Sequence, residues 1–294
     1  MRRAFANAVL ALADRPNFYF LTGDLGFMAL EEVRDALGSR FINAGVAEQN
    51  MVGVAAGLAK AGCEVMIYSI APFCYARPFE QIRNDLCIGG LSVCLVGNGG
   101  GYGYGHMGPT HHALEDCAVM RALGVRVLVP SFDEDLPALL KDVRQPTYLR
   151  LGYDARPSDL DVPQYQPWRE VLVGQRGNLV AMGPLAGVAL QAYAAKPESK
   201  RPSVWAVSEW GNSVVPDGFW DHVQGRELYV VEEHVAQGGL GSELALMMAQ
   251  RGITARGFFH RFALRYPSGR FGSQAFHRRE CGLDAESLAD WIAL

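Results

Sequence analysis

The chain has 294 residues, of which 49% are hydrophobic and 20% charged, with a formal net charge of −4. This profile is typical of a folded globular protein with room for two domains. It gives no electrostatic support for nucleic-acid binding, and no apolar run approaches the ~20 residues that a membrane-spanning helix needs.

The start of the chain and its cysteines favour a cytoplasmic protein. Arg2 and Arg3 lead into a short mixed stretch at 4–12 that ends before Asp14, and we predict an amphipathic first helix there instead of a signal peptide. Six cysteines are scattered without metal-like spacing, several of them in apolar runs. Buried free thiols in a reducing cytoplasm, and no metal site, are therefore expected.

Strand and helix patterns alternate along the first half of the chain. Strands are predicted at 18–21, 65–68, 92–96, 126–129 and 147–151, and helices at 31–37, 48–61, 78–87, 115–123 and 134–143. Alternation at this rhythm indicates a mainly parallel sheet with helices on both faces.

A second α/β unit comes after a segment rich in Pro, Asp and Gln. Strands are predicted at 179–182, 204–207 and 228–231, and helices at 185–195, 240–251 and 285–292. The predicted fold class is α/β, with two doubly wound domains and mainly parallel sheets. The expected domains are residues 1–155 and 171–294, joined by a linker at 156–170.

Polar residues cluster where the predicted strands of the first domain end. Asp24, Ser69, the segment 97–112 and Arg150 all follow or end such strands. Because ligands bind at the carboxyl ends of the strands in open α/β sheets, we expect one functional edge on the first domain.

Glu48 stands at the start of the predicted helix 48–61, which is thin and apolar because of its Gly and Ala residues. A carboxylate in this place either caps the helix by accepting hydrogen bonds from backbone N–H groups or works as a chemical group in a dry pocket. Taken alone, the residue is compatible with both.

Five segments stand out along the chain: AEQ at 47–49, YSIAPF at 68–73, RPFEQIRN at 77–84, GPTH at 108–111, and VEEH with GGLGS at 231–242. Together they resemble the thiamine diphosphate enzymes of the transketolase family, in family order over nearly the whole chain. The resemblance implies that the first domain is the pyrimidine-binding domain. The second would be the family's C-terminal domain, which serves mainly in dimer packing.

The resemblance also implies the cofactor site. A glutamate at position 48 hydrogen-bonds N1′ of the aminopyrimidine and helps C2 of thiamine diphosphate lose its proton, which requires an apolar setting where Glu48 can hold or share a proton. Phe73 matches the aromatic residue that stacks on the aminopyrimidine, with a core phenylalanine as the alternative. Asp24, Ser69 and Arg77 complete the predicted cofactor-binding set.

His111 in GPTH resembles the active-site histidine that assists proton transfer or stabilises an oxyanion, so His111 and Glu48 are the predicted catalytic residues. The glycine-rich loop 97–105 lacks the lysine of a P-loop and is interpreted as substrate-facing. The predicted substrate-binding residues are Tyr104, His106, His112 and Arg150. For Arg77 and Arg150, a structural ion pair is the alternative.

The chain lacks the Gly-Asp-Gly and later Asn with which the family binds diphosphate and Mg²⁺. Both are therefore expected to be bound mainly by a separate N-terminal, diphosphate-binding subunit, in an α2β2 assembly with self-association. The resemblance implies one subunit of a split transketolase-like transferase that moves a ketol or acyl unit between small carbonyl or sugar substrates. The alternatives are the beta subunit of a 2-oxo-acid dehydrogenase first component and a non-catalytic regulatory subunit.

Three positions depart from the usual transketolase pattern. Met107 stands in place of an Asp that contacts sugar hydroxyls, Gly99 in place of a phosphate-contacting His, and Met28 in place of a Ser. These changes predict a substrate other than an ordinary pentose phosphate, with a modified sugar, a nucleotide-linked sugar or a short keto acid as candidates.

Overall fold

The first half of the chain is built around a seven-stranded sheet in the computed structural model, which describes residues 1–211 and 215–292. Its strands are β1 (Phe18–Thr22), β2 (Phe41–Asn43), β3 (Glu64–Ile70), β4 (Val93–Asn98), β5 (Arg126–Leu128), β6 (Thr147–Leu151) and β10 (Glu209–Trp210). Their order is β10-β5-β6-β4-β3-β1-β2. All neighbours are parallel except β10 and β5.

Helices cover both faces of this sheet. They are α1 (Arg2–Leu10), α2 (Glu31–Leu37), α3 (Glu48–Lys60), α4 (Ala71–Tyr75), α5 (Phe79–Gln81), α6 (Asp116–Ala122) and α7 (Leu136–Leu140). Side chains of a strand alternate between faces, so Ile67 of β3 lies in one hydrophobic cluster and Tyr68 in another. Because the sheet is buried on both faces, the sequences of its strands are nearly continuous apolar runs.

A five-stranded sheet is formed by β7 (Trp168–Leu172), β8 (Asn178–Met182), β9 (Ser203–Val207), β11 (Glu227–Val231) and β12 (Gly257–Arg261), in the order β12-β11-β8-β9-β7. Only β7 is antiparallel to its neighbour in this sheet. Its helices are α8 (Leu185–Tyr193), α9 (Asp217–Val223), α10 (Leu240–Arg251), α11 (Gln274–Glu280) and α12 (Ala285–Trp291). The predicted α/β class with mainly parallel sheets is confirmed.

Several element boundaries differ from the sequence predictions. The predicted helix at 134–143 is a 3₁₀ turn followed by α7, because Pro137 fits only the first turn of an α-helix. The predicted helix at 78–87 is divided into α5 and a π-helical stretch, Ile82–Cys87. Strand β7 begins inside the segment predicted as a linker. Strands β2, β7, β10 and β12 and helices α4, α9 and α11 were not predicted.

The two sheets share a hydrophobic core. Strand β10 belongs to the second half of the chain in sequence, but it pairs with β5 at the edge of the first sheet. Trp210 of β10 and Met120 of α6 belong to the same buried cluster.

Candidate active site

The carboxyl ends of three neighbouring strands form one edge of the first sheet. Asp24 comes two residues after the end of β1, Ser69 is the penultimate residue of β3, and Asn98 ends β4. Since these strands are parallel, their ends meet at the same side of the sheet, where ligands bind in open α/β folds.

Glu48 is the first residue of α3 and only 4% of its surface is exposed. Its Oε1 accepts a hydrogen bond from Nη1 of Arg77 at 2.8 Å and another from Oγ of Ser69 at 3.5 Å. The described hydrogen bonds of this carboxylate thus come from side chains, in contrast to the helix-cap alternative. The position is also favourable for a negative charge because of the helix dipole.

Phe73 lies in α4, which begins directly after β3 and carries Pro72 in its first turn. The guanidinium carbon of Arg77 lies 3.6 Å from the centre of the Phe73 ring, a cation–π contact. The ring of His111 meets Phe73 at its edge, with centroids 5.1 Å apart. Glu48, Phe73, Arg77 and His111 therefore form one continuous group of contacts.

His111 ends a short 3₁₀ turn, Pro109–His111, that comes directly after Gly108. Gly108 has a φ of +79°, which glycine adopts without steric cost. Thr110 Oγ1 and His111 Nδ1 are 2.9 Å apart and form a hydrogen bond that fixes the ring orientation. The Tyr104 ring lies 6.3 Å from that of His111.

Tyr104 and Gly99 are coupled by packing. A Cβ added at Gly99 would lie 2.3 Å from the Tyr104 ring, and Gly99 has a φ of +75°. The Tyr104 hydroxyl accepts a hydrogen bond from Nδ2 of Asn98 at 2.6 Å, and burial raises the pKa of Tyr104 above its ordinary value. The loop can hold Tyr104 in this place only while residue 99 has no side chain.

Asp24 is held by Asn43, the last residue of β2. The Asn43 Nδ2 donates to Asp24 Oδ1 at 3.1 Å, and Asn43 Oδ1 accepts from the backbone N–H groups of Asp24 and Gly45 at 2.9 and 3.0 Å. Asp24 has a φ of +59°, which Asp tolerates better than most residues. Asn43 thereby ties the loop after β1 to the segment that leads into Glu48.

Arg150 does not join this group. It is buried, its Nε lies 3.1 Å from Asp116 Oδ2, and its Nη2 donates to the carbonyl oxygens of Ala113 and Glu233 at 2.6 and 2.8 Å. The ion-pair alternative considered for Arg150 is what the structure contains. Because its charge is paired with Asp116 and Nη2 donates to two backbone carbonyls, we do not retain Arg150 as a substrate-binding candidate.

His112 lies apart from its neighbour His111. It is buried, with Nδ1 at 2.9 Å from the Tyr266 hydroxyl and Nε2 at 3.1 Å from the Gly105 carbonyl oxygen. Since a carbonyl only accepts, Nε2 carries the proton and Nδ1 accepts from Tyr266. His112 joins two parts of the fold, and we do not retain it as a substrate-binding candidate. His106 is exposed on the turn Gly105–Met107.

Sequence reasoning missed four residues that support the group: Asn43, Gln49, Asn98 and Thr110. Asn98 carried a usable signal, since it directly follows a buried apolar run and therefore lies at a strand end. Asn43 and Gln49 act through partners that are remote in the chain, which no local pattern reveals, whereas Thr110 bonds its direct neighbour His111.

A planar group with N–H donors lies between Phe73 and Glu48. The flat guanidinium of Arg77 contacts the Phe73 face and Glu48 Oε1 at the same time, so a planar nitrogenous group fits between them.

Within the ranges that the structure covers, no cluster of three His, Cys, Asp or Glu side chains could hold a metal ion. No helix in those ranges is long and apolar enough to cross a membrane.

Comparison with known proteins identifies the family of this chain. The family model described as "Transketolase, pyrimidine binding domain" matches residues 1–153. The chain is 29% identical over 270 residues to an apulose-4-phosphate transketolase subunit of Phocaeicola vulgatus, covering 87% of this chain and 85% of the relative. It is 30% identical over 267 residues to the subunit of the same name from Actinobacillus succinogenes, covering 85% and 83%.

A solved structure extends the similarity to the complete fold. The chain superimposes with a TM-score of 0.82 on a structure titled "Split gene transketolase, inactive beta4 tetramer", at 26% identity, covering 99% of this chain and 96% of the other. The chain therefore belongs to the thiamine diphosphate-dependent transketolase family, in which it resembles the C-terminal subunits of split enzymes.

Proposed function

We propose that this chain is one subunit of a split, transketolase-like transferase that moves a ketol (two-carbon) or acyl unit between carbonyl compounds. The observation that carries the proposal is the series of contacts at the carboxyl edge of the first sheet that joins Glu48, through Arg77, to Phe73 and His111. Thiamine diphosphate, when bound, supplies the carbanion and the electron sink that such a transfer needs.

In this proposal, Glu48 and Phe73 hold the aminopyrimidine half of the cofactor. Glu48 is buried and next to Ser69, so its hydrogen bond to a ring nitrogen is shielded from water. Phe73 offers the face on which the ring stacks. Asp24 and Ser69 order the surrounding loops, Asp24 through Asn43 and Ser69 through Glu48.

His111 is proposed to move protons on the reacting carbonyl or to stabilise its oxygen. It is half-buried on a loop held by Gly108 and Thr110, and its ring meets Phe73. A histidine is suited to this work because its pKa lies close to neutrality. Tyr104 and His106 lie on the same loop and are proposed to contact the substrate.

The diphosphate and Mg²⁺ are proposed to be held by a separate N-terminal subunit. In support, the chain lacks the Gly-Asp-Gly motif, and the residues described by the structure offer no metal-binding cluster. The similarity to two chains that are each named as a subunit of a transketolase fits this division. An α2β2 assembly, with residues 1–155 and 171–294 as separate domains, completes the proposal.

The substrate is proposed to be a sugar or other carbonyl compound different from an ordinary pentose phosphate. Gly99, which replaces a phosphate-contacting His, has no room for a side chain while Tyr104 holds its present place. Met107 and Met28 are 59% and 94% exposed, so apolar side chains face solvent at two positions where the family usually has polar ones. The sugar phosphate in the names of the two relatives is a candidate.

We propose that the reaction takes place in the cytoplasm, because the six cysteines are free thiols and a reducing compartment keeps thiols free.

A substrate screen of the complex with the candidate partner subunit tests this proposal. We expect ketoses to be consumed without a lipoyl acceptor, and Glu48→Gln to reduce turnover by several orders of magnitude. Glu80→Gln, the same change at an exposed position on α5, is the control and should leave turnover unchanged.

Two outcomes would contradict the proposal. Consumption of 2-oxo acids that requires a lipoyl acceptor would identify the beta subunit of a 2-oxo-acid dehydrogenase component. Equal turnover of Glu48→Gln and unmodified complex would mean that this chain has a regulatory role and that the chemistry lies elsewhere.

A further inference from the structure

The side chain of Arg77 takes up the same two contacts that the proposed aminopyrimidine site offers. Its guanidinium lies flat over Phe73 at 3.6 Å and donates to Glu48 Oε1 at 2.8 Å. Both partners belong to the proposed cofactor site, and the guanidinium is planar and rich in N–H donors.

We propose that Arg77 is an internal substitute for the aminopyrimidine and closes the cofactor site until it is displaced. This inference rests on the proposed function of Glu48 and Phe73. It changes the assignment of Arg77 made from the sequence, since a residue that closes the site weakens cofactor binding and a cofactor ligand strengthens it.

The contacts are mutually exclusive with a bound ring. A separation of 3.6 Å is van der Waals contact, so no second group fits between the guanidinium and Phe73. The covered face is the one on the side of Glu48, because the same guanidinium reaches Oε1. A ring that stacks there and hydrogen-bonds Glu48 must replace Arg77.

The main chain around Arg77 favours a movement of the side chain alone. Gln49 Nε2 donates to the Arg77 carbonyl oxygen at 3.3 Å, and Pro78 restricts the backbone of the residue before it. An open cleft of about 450 Å³ lies beside the ion pair, lined by Val46, Ala47, Glu48, Gln49, Asn50 and Arg77. The long side chain of Arg77 can turn into this cleft without a change of fold.

The exposed fraction of the Arg77 side chain determines how strongly Arg77 closes the cofactor site. Its side chain is 42% exposed, whereas that of Glu48 is 4% exposed. Partly exposed ion pairs and cation–π contacts are weak. We therefore expect Arg77 to lower the affinity for the aminopyrimidine about tenfold. This effect favours the closed state in the isolated subunit. It is small enough that the partner subunit and the cofactor together can displace Arg77.

Calorimetric titration of thiamine into the full-length chain tests this inference, because thiamine has the aminopyrimidine and no diphosphate and so does not need the partner's site. Arg77→Ala should bind thiamine about tenfold more tightly than the unmodified chain. Arg83→Ala removes the same charge from an exposed position on the next helical stretch and should bind as the unmodified chain does.

Arg77→Lys separates charge from shape, since lysine keeps the cation and cannot lie flat on the ring. It should also bind thiamine more tightly than the unmodified chain. Binding by Arg77→Lys equal to that of the unmodified chain would show that only charge repulsion acts, and would overturn the substitute role.

The remaining outcomes separate this inference from the proposed function. Equal or weaker binding by Arg77→Ala, with measurable binding by the unmodified chain, would overturn the closure and leave the pyrimidine site in place. Absence of thiamine binding to every one of these chains would contradict the pyrimidine site itself. Tighter binding by Arg77→Ala that is lost again in Arg77→Ala/Glu48→Gln would support both.

Discussion

At the scale of single residues, two arginines illustrate how the same residue type serves different ends. Arg77 is 42% exposed and contacts Glu48 and Phe73 at the edge of the sheet. Arg150 is buried and paired with Asp116. The sequence pattern predicts Arg77 in the cofactor site and Arg150 in the substrate site, and the groups that surround each arginine separate their roles.

Replacing Arg150 tests its structural role. Removing one member of a buried ion pair typically costs about 3–5 kcal/mol, because the other charge is left buried without its partner. Arg150→Met should therefore lower the free energy of unfolding by that order, as measured by urea denaturation. A normal unfolding midpoint combined with a raised KM would show instead that Arg150 binds substrate.

Phe73 offers a second test at this scale. Stacking of aromatic rings is worth about 0.5–1.5 kcal/mol beyond the burial of area. In the complex with the partner subunit, Phe73→Leu should weaken the binding of thiamine diphosphate about fivefold, since leucine keeps the apolar surface and lacks the ring. Phe79→Leu, a matched change at a neighbouring half-exposed position, should leave the affinity unchanged. Equal affinities for both variants would mean that Phe73 is a packing residue only.

At the scale of elements, the site depends on the segment at the carboxyl end of each strand. In the loop after β4, Gly99 has a positive φ and lies against the Tyr104 ring, and the segment after β2 is fixed by Asn43. Such loops determine the substrate, because the strands beneath them only set the positions of their ends.

A pair of glycine variants measures the coupling of Gly99 to Tyr104. Both Gly99 and Gly108 have positive φ, which costs a non-glycine residue about 1 kcal/mol. Only at Gly99 does an added Cβ meet the Tyr104 ring; at Gly108 nothing lies within 4 Å. Gly99→Ala should thus lower the free energy of unfolding by roughly 1–3 kcal/mol more than Gly108→Ala. Equal losses would show that Tyr104 moves aside freely and that the loop tolerates a side chain there.

The sequence predicts the positions of some residues and elements and misses those of others. Glu48, Phe73 and His111 are predicted because each lies in a short continuous motif; in the structure His111 contacts Phe73, and Arg77 links Phe73 to Glu48. His112 and Arg150 were misplaced because their partners are remote in the chain: Tyr266 and Glu233 come from the second half. Strand β12 was missed because it is a half-exposed edge with neither a continuous apolar run nor regular alternation.

At the scale of the whole molecule, aromatic and histidine side chains join the two halves of the chain. His112 packs against His277 of α11 with ring centroids 5.1 Å apart, and Tyr102 stacks on His277 at 4.6 Å. Burial lowers the pKa of both histidines below the ordinary value of about 6.5. Both are therefore neutral in the folded chain near pH 7.

This cluster predicts a loss of stability in mild acid. A histidine whose pKa is lowered on folding binds its proton first in the unfolded chain, so its contribution is present above about pH 6.5 and is lost as the pH falls below it. The melting temperature should decrease from pH 7.5 to 5.5, and less steeply in His112→Asn/His277→Asn. His106→Asn, at an exposed position, serves as the control. Identical slopes for the double variant and the unmodified chain would contradict this explanation.

The central claim is a cofactor site divided between two subunits, and calorimetric titration of thiamine diphosphate with Mg²⁺ tests it most directly. The titration is made into the purified chain alone and into its mixture with the candidate diphosphate-binding subunit. We predict tight binding in the mixture and none of comparable strength to the chain alone, since the described residues offer no metal cluster. Tight, Mg²⁺-dependent binding by the chain alone would contradict the account, because it would require a complete diphosphate site within this one subunit.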